Sequence, residues 1–141
     1  MISPELLQRY PFFESLTDGQ LKAIAKIGEE KSFPKDSILF KEHTGADRLL
    51  LLLEGAVELF YAGGDEGSAA SSKVCSIMAG AIFGVSSLIR PYKYTASART
   101  TMPVKVVDFD GTALRMMTEN DQALGRVLMN NVAAAVLARL H

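Results

Sequence analysis

The stretch "LLLLLEGAVELF", residues 49 to 60, decides the fold. It reads as two strands that turn near Glu54 and Gly55. The first is so uniformly apolar that both of its faces must be covered, whereas the second alternates as a half-buried strand does. Working outward, the same kind of short run recurs from Glu30 to Phe109. EKSF, SILFKE, DRLLLLLE, AVELFYA, KVCSIM, AIF, YTASART and VKVVDF are separated by turn residues at the spacing of an antiparallel sandwich or barrel. The small, polar "AGGDEGSAASS" at 62–72 reads as a hairpin tip.

Helical patterns lie at both ends. In "LTDGQL", Thr17 is a cap, Gln20 follows three positions later, and Leu16 can staple to Leu21. This predicts a helix burying Leu21, Ile24 and Ile27 and stopping at Gly28, preceded by a shorter one over Pro4 to Tyr10. After Asp110 the period of 3.6 returns, in a short piece through Leu114 and Met117 and a longer one from about Asp121 onward. In the latter, Leu124, Val127, Leu128, Val132, Val136, Leu137 and Leu140 form a broad apolar stripe. The expected architecture is mainly β with flanking α: one domain over 1–141, with N-terminal helices at 1–29, an antiparallel β jelly-roll (double-stranded β-helix) at 30–110 and C-terminal helices at 111–141.

Composition narrows the function. Of the 141 residues 48% are hydrophobic, enough for one core, and 15 basic residues oppose 16 acidic ones, so no bulk charge draws the chain to nucleic acid. Cys75 alone forms no internal disulfide and holds no metal or cluster, which makes a reducing cytoplasm the simplest setting. No run approaches the roughly eighteen apolar residues of a membrane span. A metal enzyme on a jelly roll needs several converging histidines, and only His43 and His141 exist. The expectation is therefore no catalytic residues, no metal and no enzyme, with Cys75 an ordinary strand residue and His43 a solvated loop residue.

Charge is nevertheless segregated. Between Glu66 and Asp108 there is no acid, while Lys73, Arg90, Lys93, Arg99 and Lys105 fall inside that gap. A helical turn beginning at Ser86 to Ile89 would add free amides and the hydroxyls of Ser86, Ser87 and Thr95 as donors to a phosphate or carboxylate. The competing reading is that these cations are solvated strand residues.

The order of helix, eight or so β-runs, "FG" with a short helix and proline loop, and closing helices resembles the cyclic-nucleotide-binding domain of the catabolite activator superfamily. The residues that carry the resemblance are "PFFESLTDGQLKAIA" at 11–25, "FPKDSILFKEHTGADRLLLLLEGAVELF" at 33–60, "AGAIFGVSSLI" at 79–89 and "VKVVDFD" at 104–110. The resemblance implies a phosphate-binding cassette running from Phe-Gly-Glu to Pro-Arg, whose glutamate takes the ribose hydroxyl and whose arginine pairs with the cyclic phosphate. Phe83 and Gly84 match, but Val85 stands at the glutamate position. Counted without gaps, Lys93 stands at the proline and Tyr94 at the arginine, with Thr95 and Ala96 as the small residues that follow. A one-residue shift would bring Lys93 to the arginine position.

Losing two contacts to charged groups costs on the order of 3–6 kcal/mol, two to four decades of affinity, so ordinary cyclic AMP binding is not expected. The candidate ligand residues are Phe83, Gly84, Val85, Ser86, Ser87, Leu88, Arg90, Lys93, Tyr94, Thr95 and Ala96. The expected cofactor is none, with a cyclic nucleotide or another small anion as the ligand class to test.

Three functional readings follow: a sensor for an anion other than cyclic AMP, a ligand-free interaction module whose pocket is filled by Val85, Tyr94 and Leu88, or the sensor part of a transcription regulator. The family's dimer region corresponds to the last helix. Val132, Val136, Leu137 and Leu140 are thus candidates for a homodimer or protein-partner surface, or for a lid over their own barrel. No recognition helix follows, so direct DNA contact is not expected.

Overall fold

A computed structural model describes residues 2–62 and 72–139, so most of the expected hairpin tip at 62–72, together with Leu140 and His141, lies outside the described residues. The elements are α1 (Pro4–Gln8), α2 (Asp18–Lys26), β1 (Gly28–Phe33), β2 (Ile38–Phe40), β3 (Arg48–Glu54), β4 (Ala56–Tyr61), β5 (Ser72–Met78), β6 (Ile82–Phe83), a 3₁₀ turn (Val85–Leu88), β7 (Ser97–Thr100), β8 (Val104–Asp110), α3 (Gly111–Asn120) and α4 (Gln122–Ala138). The strands form two four-stranded antiparallel sheets, β1-β8-β3-β6 and β2-β7-β4-β5, stacked as a jelly roll.

The leucine run explains the architecture. Leu50 and Leu52 point between the sheets, where they meet Val57, Ile77, Phe83, Ala98 and Val106. Leu49 and Leu51 point the other way, against Leu7, Phe13, Ile24, Leu114, Leu124 and Leu128 of the helical layer. Both faces of β3 are therefore dry, as the run of leucines predicts. β8 repeats the division, with Val104 and Val106 inside and Val107 and Phe109 facing the helices.

The helix starts follow from local chemistry. Thr17 and Gln20 form a complete capping box, with Gln20 N–H donating to Thr17 Oγ1 at 3.2 Å and Thr17 N–H to Gln20 Oε1 at 2.9 Å. Asp110 caps α3 and Asp121 caps α4, each accepting from the third residue beyond at 3.1 Å. The reading of Gly28 requires correction. It is not a left-handed helix cap: α2 ends at Lys26, Ile27 caps it with a φ of −102°, and Gly28 opens β1. Its glycine is needed for close approach, since a Cβ there would lie 2.9 Å from the Phe109 ring, 3.0 Å from Ile2 and 3.1 Å from Val107. Gly28→Ala is expected to overpack this corner and cost about 1–3 kcal/mol, measured as a lower urea midpoint with an unchanged slope.

The stripe on α4 divides along its length. Leu124, Leu128 and Val132 are buried against the sheet and α1–α2 layer, and Asn131 Nδ2 ties the helix to the Phe12 carbonyl at 2.8 Å. Farther on, Val136 and Leu137 are exposed, at 37% and 57%.

Candidate functional site

The cradle begins where β6 ends. Gly84 takes a left-handed φ of 76°, and a Cβ there would stand 2.8 Å from the Arg48 carbonyl, so the Phe-Gly pair is fixed by steric need. The following turn is a 3₁₀ turn over Val85–Leu88, one residue earlier than the expected turn at 86–89, and Ile89 is already extended. Three of the donors in and beside it are spent at home. Ser87 is fully buried, its N–H and its hydroxyl both donate to the Gly84 carbonyl at 3.1 and 2.8 Å, and Ile89 N–H donates to Ser86. Ser86 is half-buried and Thr95 exposed, so the three hydroxyls differ in their access to solvent.

Tyr94 is the inward residue at the far end of the cradle. It is 4% exposed, whereas its neighbours Lys93 and Thr95 are exposed. Of the two residues that the count without gaps and the count shifted by one place at the arginine position, Tyr94 is thus the inward one and Lys93 the outward one. The Tyr94 ring stacks on Phe40 at 3.9 Å and 12°, and Phe40 lies 6.1 Å from the Phe83 ring. Its hydroxyl accepts from Arg48 N–H at 3.2 Å and donates to the Arg48 carbonyl at 2.9 Å, the pairing a neighbouring strand would make.

The Arg48 side chain is itself anchored. Its Nη1 and Lys31 Nζ converge on one oxygen of the buried Asp108, at 2.9 and 2.8 Å. Backbone bonds His43 to Tyr94, Tyr94 to Thr44 and Ala46 to Tyr92, all 2.7–3.0 Å, zip the loop before β3 onto the cradle. Burial pushes the Tyr94 phenol up to about 12, with Asp47 and Asp108 adding to the rise and the bond to Arg48 opposing it.

The expectation that Val85, Tyr94 and Leu88 fill the pocket together is corrected in part. Tyr94 is buried there and stacked on Phe40. Val85 and Leu88 turn instead toward the helical cluster, because the 3₁₀ turn presents them to the opposite side. Ala96, 8% exposed, lines the interior beside Ala98. Two of the five cations in the acid-free gap find acids from other strands: Arg99 pairs with Glu58 at 3.4 Å and lies over Phe60, and Lys105 reaches Glu54 at 3.8 Å. Arg90 and Lys93 are exposed on the cradle rim. Cys75 is a half-buried strand residue packed against the barrel interior, and His43 is an exposed loop residue.

One residue that touches the cradle gave no sequence signal. Arg115, on α3, donates through Nη1 to the Ser87 carbonyl at 2.6 Å and to the Ala46 carbonyl at 3.1 Å, and its guanidinium lies 4.2 Å over the Tyr92 ring. It joins the 3₁₀ turn, the loop before β3 and the first closing helix at one point.

With the geometry in view, the comparisons fit. The family model for the cyclic nucleotide-binding domain matches residues 30–121. A crystallised protein from Geobacter metallireducens GS-15, assigned to the cyclic nucleotide-binding proteins, is 67% identical over the whole of both chains, with a TM-score of 0.92. The sensor domain of the transcriptional regulator DNR from Pseudomonas aeruginosa shares the fold at 17% identity, covering 94% of this chain and 91% of that one with a TM-score of 0.75. The CRP-like cAMP-activated global transcriptional regulator of Mycobacterium tuberculosis is 26% identical over 92% of this chain, which spans 56% of that protein's length. Among the described residues no helix is long and apolar enough to cross a membrane. The family match covers well over half the sequence; the chain belongs to the cyclic nucleotide-binding domain family.

Proposed function

We propose that this chain is a regulatory domain whose nucleotide cradle is filled by its own tyrosine and does not answer to cyclic AMP. The observation that carries this is Tyr94, which falls at the arginine position when the cassette is counted without gaps and is stacked on Phe40, buried and hydrogen-bonded to Arg48. A phosphate entering there would meet a phenyl face and no paired cation, and Val85 offers the ribose no acceptor. The domain then acts through a protein partner or through a ligand bound elsewhere. The exposed Val136 and Leu137 of α4 support a role for that helix in self-association or partner binding. Arg90 and Lys93, both exposed, support a second reading in which a small anion is held on the rim rather than in the pocket.

The test is calorimetry and thermal shift with cyclic AMP, cyclic GMP and cyclic dinucleotides at millimolar concentration. A ligand at about 100 times its Kd adds about 2.7 kcal/mol, so silence is informative. The native chain is expected to be silent and the double variant Val85→Glu/Tyr94→Arg to gain measurable cyclic AMP affinity. A saturable response of the native chain to cyclic AMP overturns the proposal.

A further inference from the structure

A slot of about 800 Å³ runs between the second half of α4 and the β5–β6 turn, away from the cradle. Its lining is mostly apolar, with Phe12, Ile77 and Ile82 on the body and Ala134 and Ala135 on the helix, while Ser76, Asn131 and Arg139 are its polar members. Small residues hold it open, for Ala79, Gly80 and Ala81 of the turn face the helix alanines and leave the space between unfilled. From Asn131 to Arg139 the helix advances roughly 12 Å, the reach of a linear chain.

Arg139 gives the slot its polarity. The guanidinium is drawn into this apolar setting, and burial pulls its pKa below the usual arginine value. Among the described residues its only hydrogen-bond partner is the Ile82 carbonyl, which receives Nη2–H, and it makes no ion pair. A guanidinium carries five donors and is best satisfied by a carboxylate that takes two of them side by side. A mostly apolar slot ending in an arginine with donors to spare is complementary to a molecule with an unbranched apolar body and a carboxylate head.

The geometry points to this slot as a binding site for a medium-chain fatty acid, with its carboxylate on Arg139 and its chain lying between α4 and the β5–β6 turn toward Phe12. The site shares no residue with the cradle, so it stands or falls apart from the reading of Tyr94. Because one wall is α4 and the other is the sheet, an occupant would brace the part of the helix whose own stripe has left the core.

Sodium decanoate, kept below its micelle concentration, is the probe, and titration calorimetry of the whole chain is the readout. Saturable binding at one equivalent is expected. Arg139→Gln is expected to weaken it about tenfold to hundredfold, the worth of a charge-assisted contact, while leaving the weaker binding of decanol unchanged. Ala135→Leu, which narrows the slot without touching the charge, is expected to abolish binding of both. Circular dichroism of each variant checks that α4 is retained. The proposal is overturned by absence of saturable binding, by decanoate binding that neither variant alters, or by sedimentation showing that the slot is closed by a second copy and that Ala135→Leu releases monomers without affecting decanoate.

Discussion

Tyr94→Ala is expected to lower the unfolding free energy by about 3–5 kcal/mol, a fall in Tm of roughly 10 °C or more. The ring is the partner of Phe40 in a stacked pair inside the jelly roll, and its hydroxyl satisfies both backbone groups of Arg48. Truncation leaves a cavity beside Phe40 and removes a partner from an N–H and a carbonyl at the start of β3, and these losses compound because they fall on the same site. Tyr94→Phe separates them. It keeps the stack and is expected to cost about 1–2 kcal/mol for the polar part alone.

Alkaline titration supplies a second readout. The unfolded phenol ionises near 10, the folded one at about 12. Stability from this group is therefore complete below about pH 10 and is lost as pH rises through 12, since only the unfolded chain ionises in that window. The phenolate absorbance step near 12 should vanish in Tyr94→Phe. A domain indifferent to Tyr94→Ala would show that the cradle is loosely filled and available to a ligand after all.

Arg115→Ala is the second large effect, expected at about 2–4 kcal/mol. Two carbonyls, of Ser87 and Ala46, lose a charged donor, and Tyr92 loses the cation over its ring. Arg115→Lys should recover little, because an ammonium on a flexible stem cannot reproduce a planar fork that reaches two carbonyls while stacking on an aromatic face. The local consequence distinguishes this from a general loss of stability. Amide exchange should quicken first in the Val85–Leu88 turn and in α3, before β3 and β8 respond. Uniform acceleration across the domain would remove Arg115 from its role in coupling cradle to helix.

What the sequence could convey divides along a physical line. Patterns set by neighbours in the chain were legible. The leucine run named a strand covered on both faces, Thr17 and Gln20 named a helix start, and the Phe-Gly pair placed the cradle. What depended on distant partners was not. Lys93 and Tyr94 are adjacent, and only the zipper with residues 43–46 determines which of them turns inward. Phe40 has no local mark that sets it apart from other strand aromatics, yet its ring closes the pocket. Ser87 looked like a free donor because its acceptor, the Gly84 carbonyl, is a backbone group that no residue letter announces. Gly28 resembled a helix terminator, and its real reason, the Phe109 ring, comes from the far end of the domain.

The strand that carries Leu49 to Leu52 has a consequence for how the molecule comes apart. One row of its side chains belongs to the jelly-roll interior and the alternate row to the helical layer, so neither compartment owns a wall of its own. Melting either one exposes half of the same strand and removes the backing from the other. Helices and barrel are therefore coupled through β3, and a disturbance that reaches this strand from one side is passed to the other.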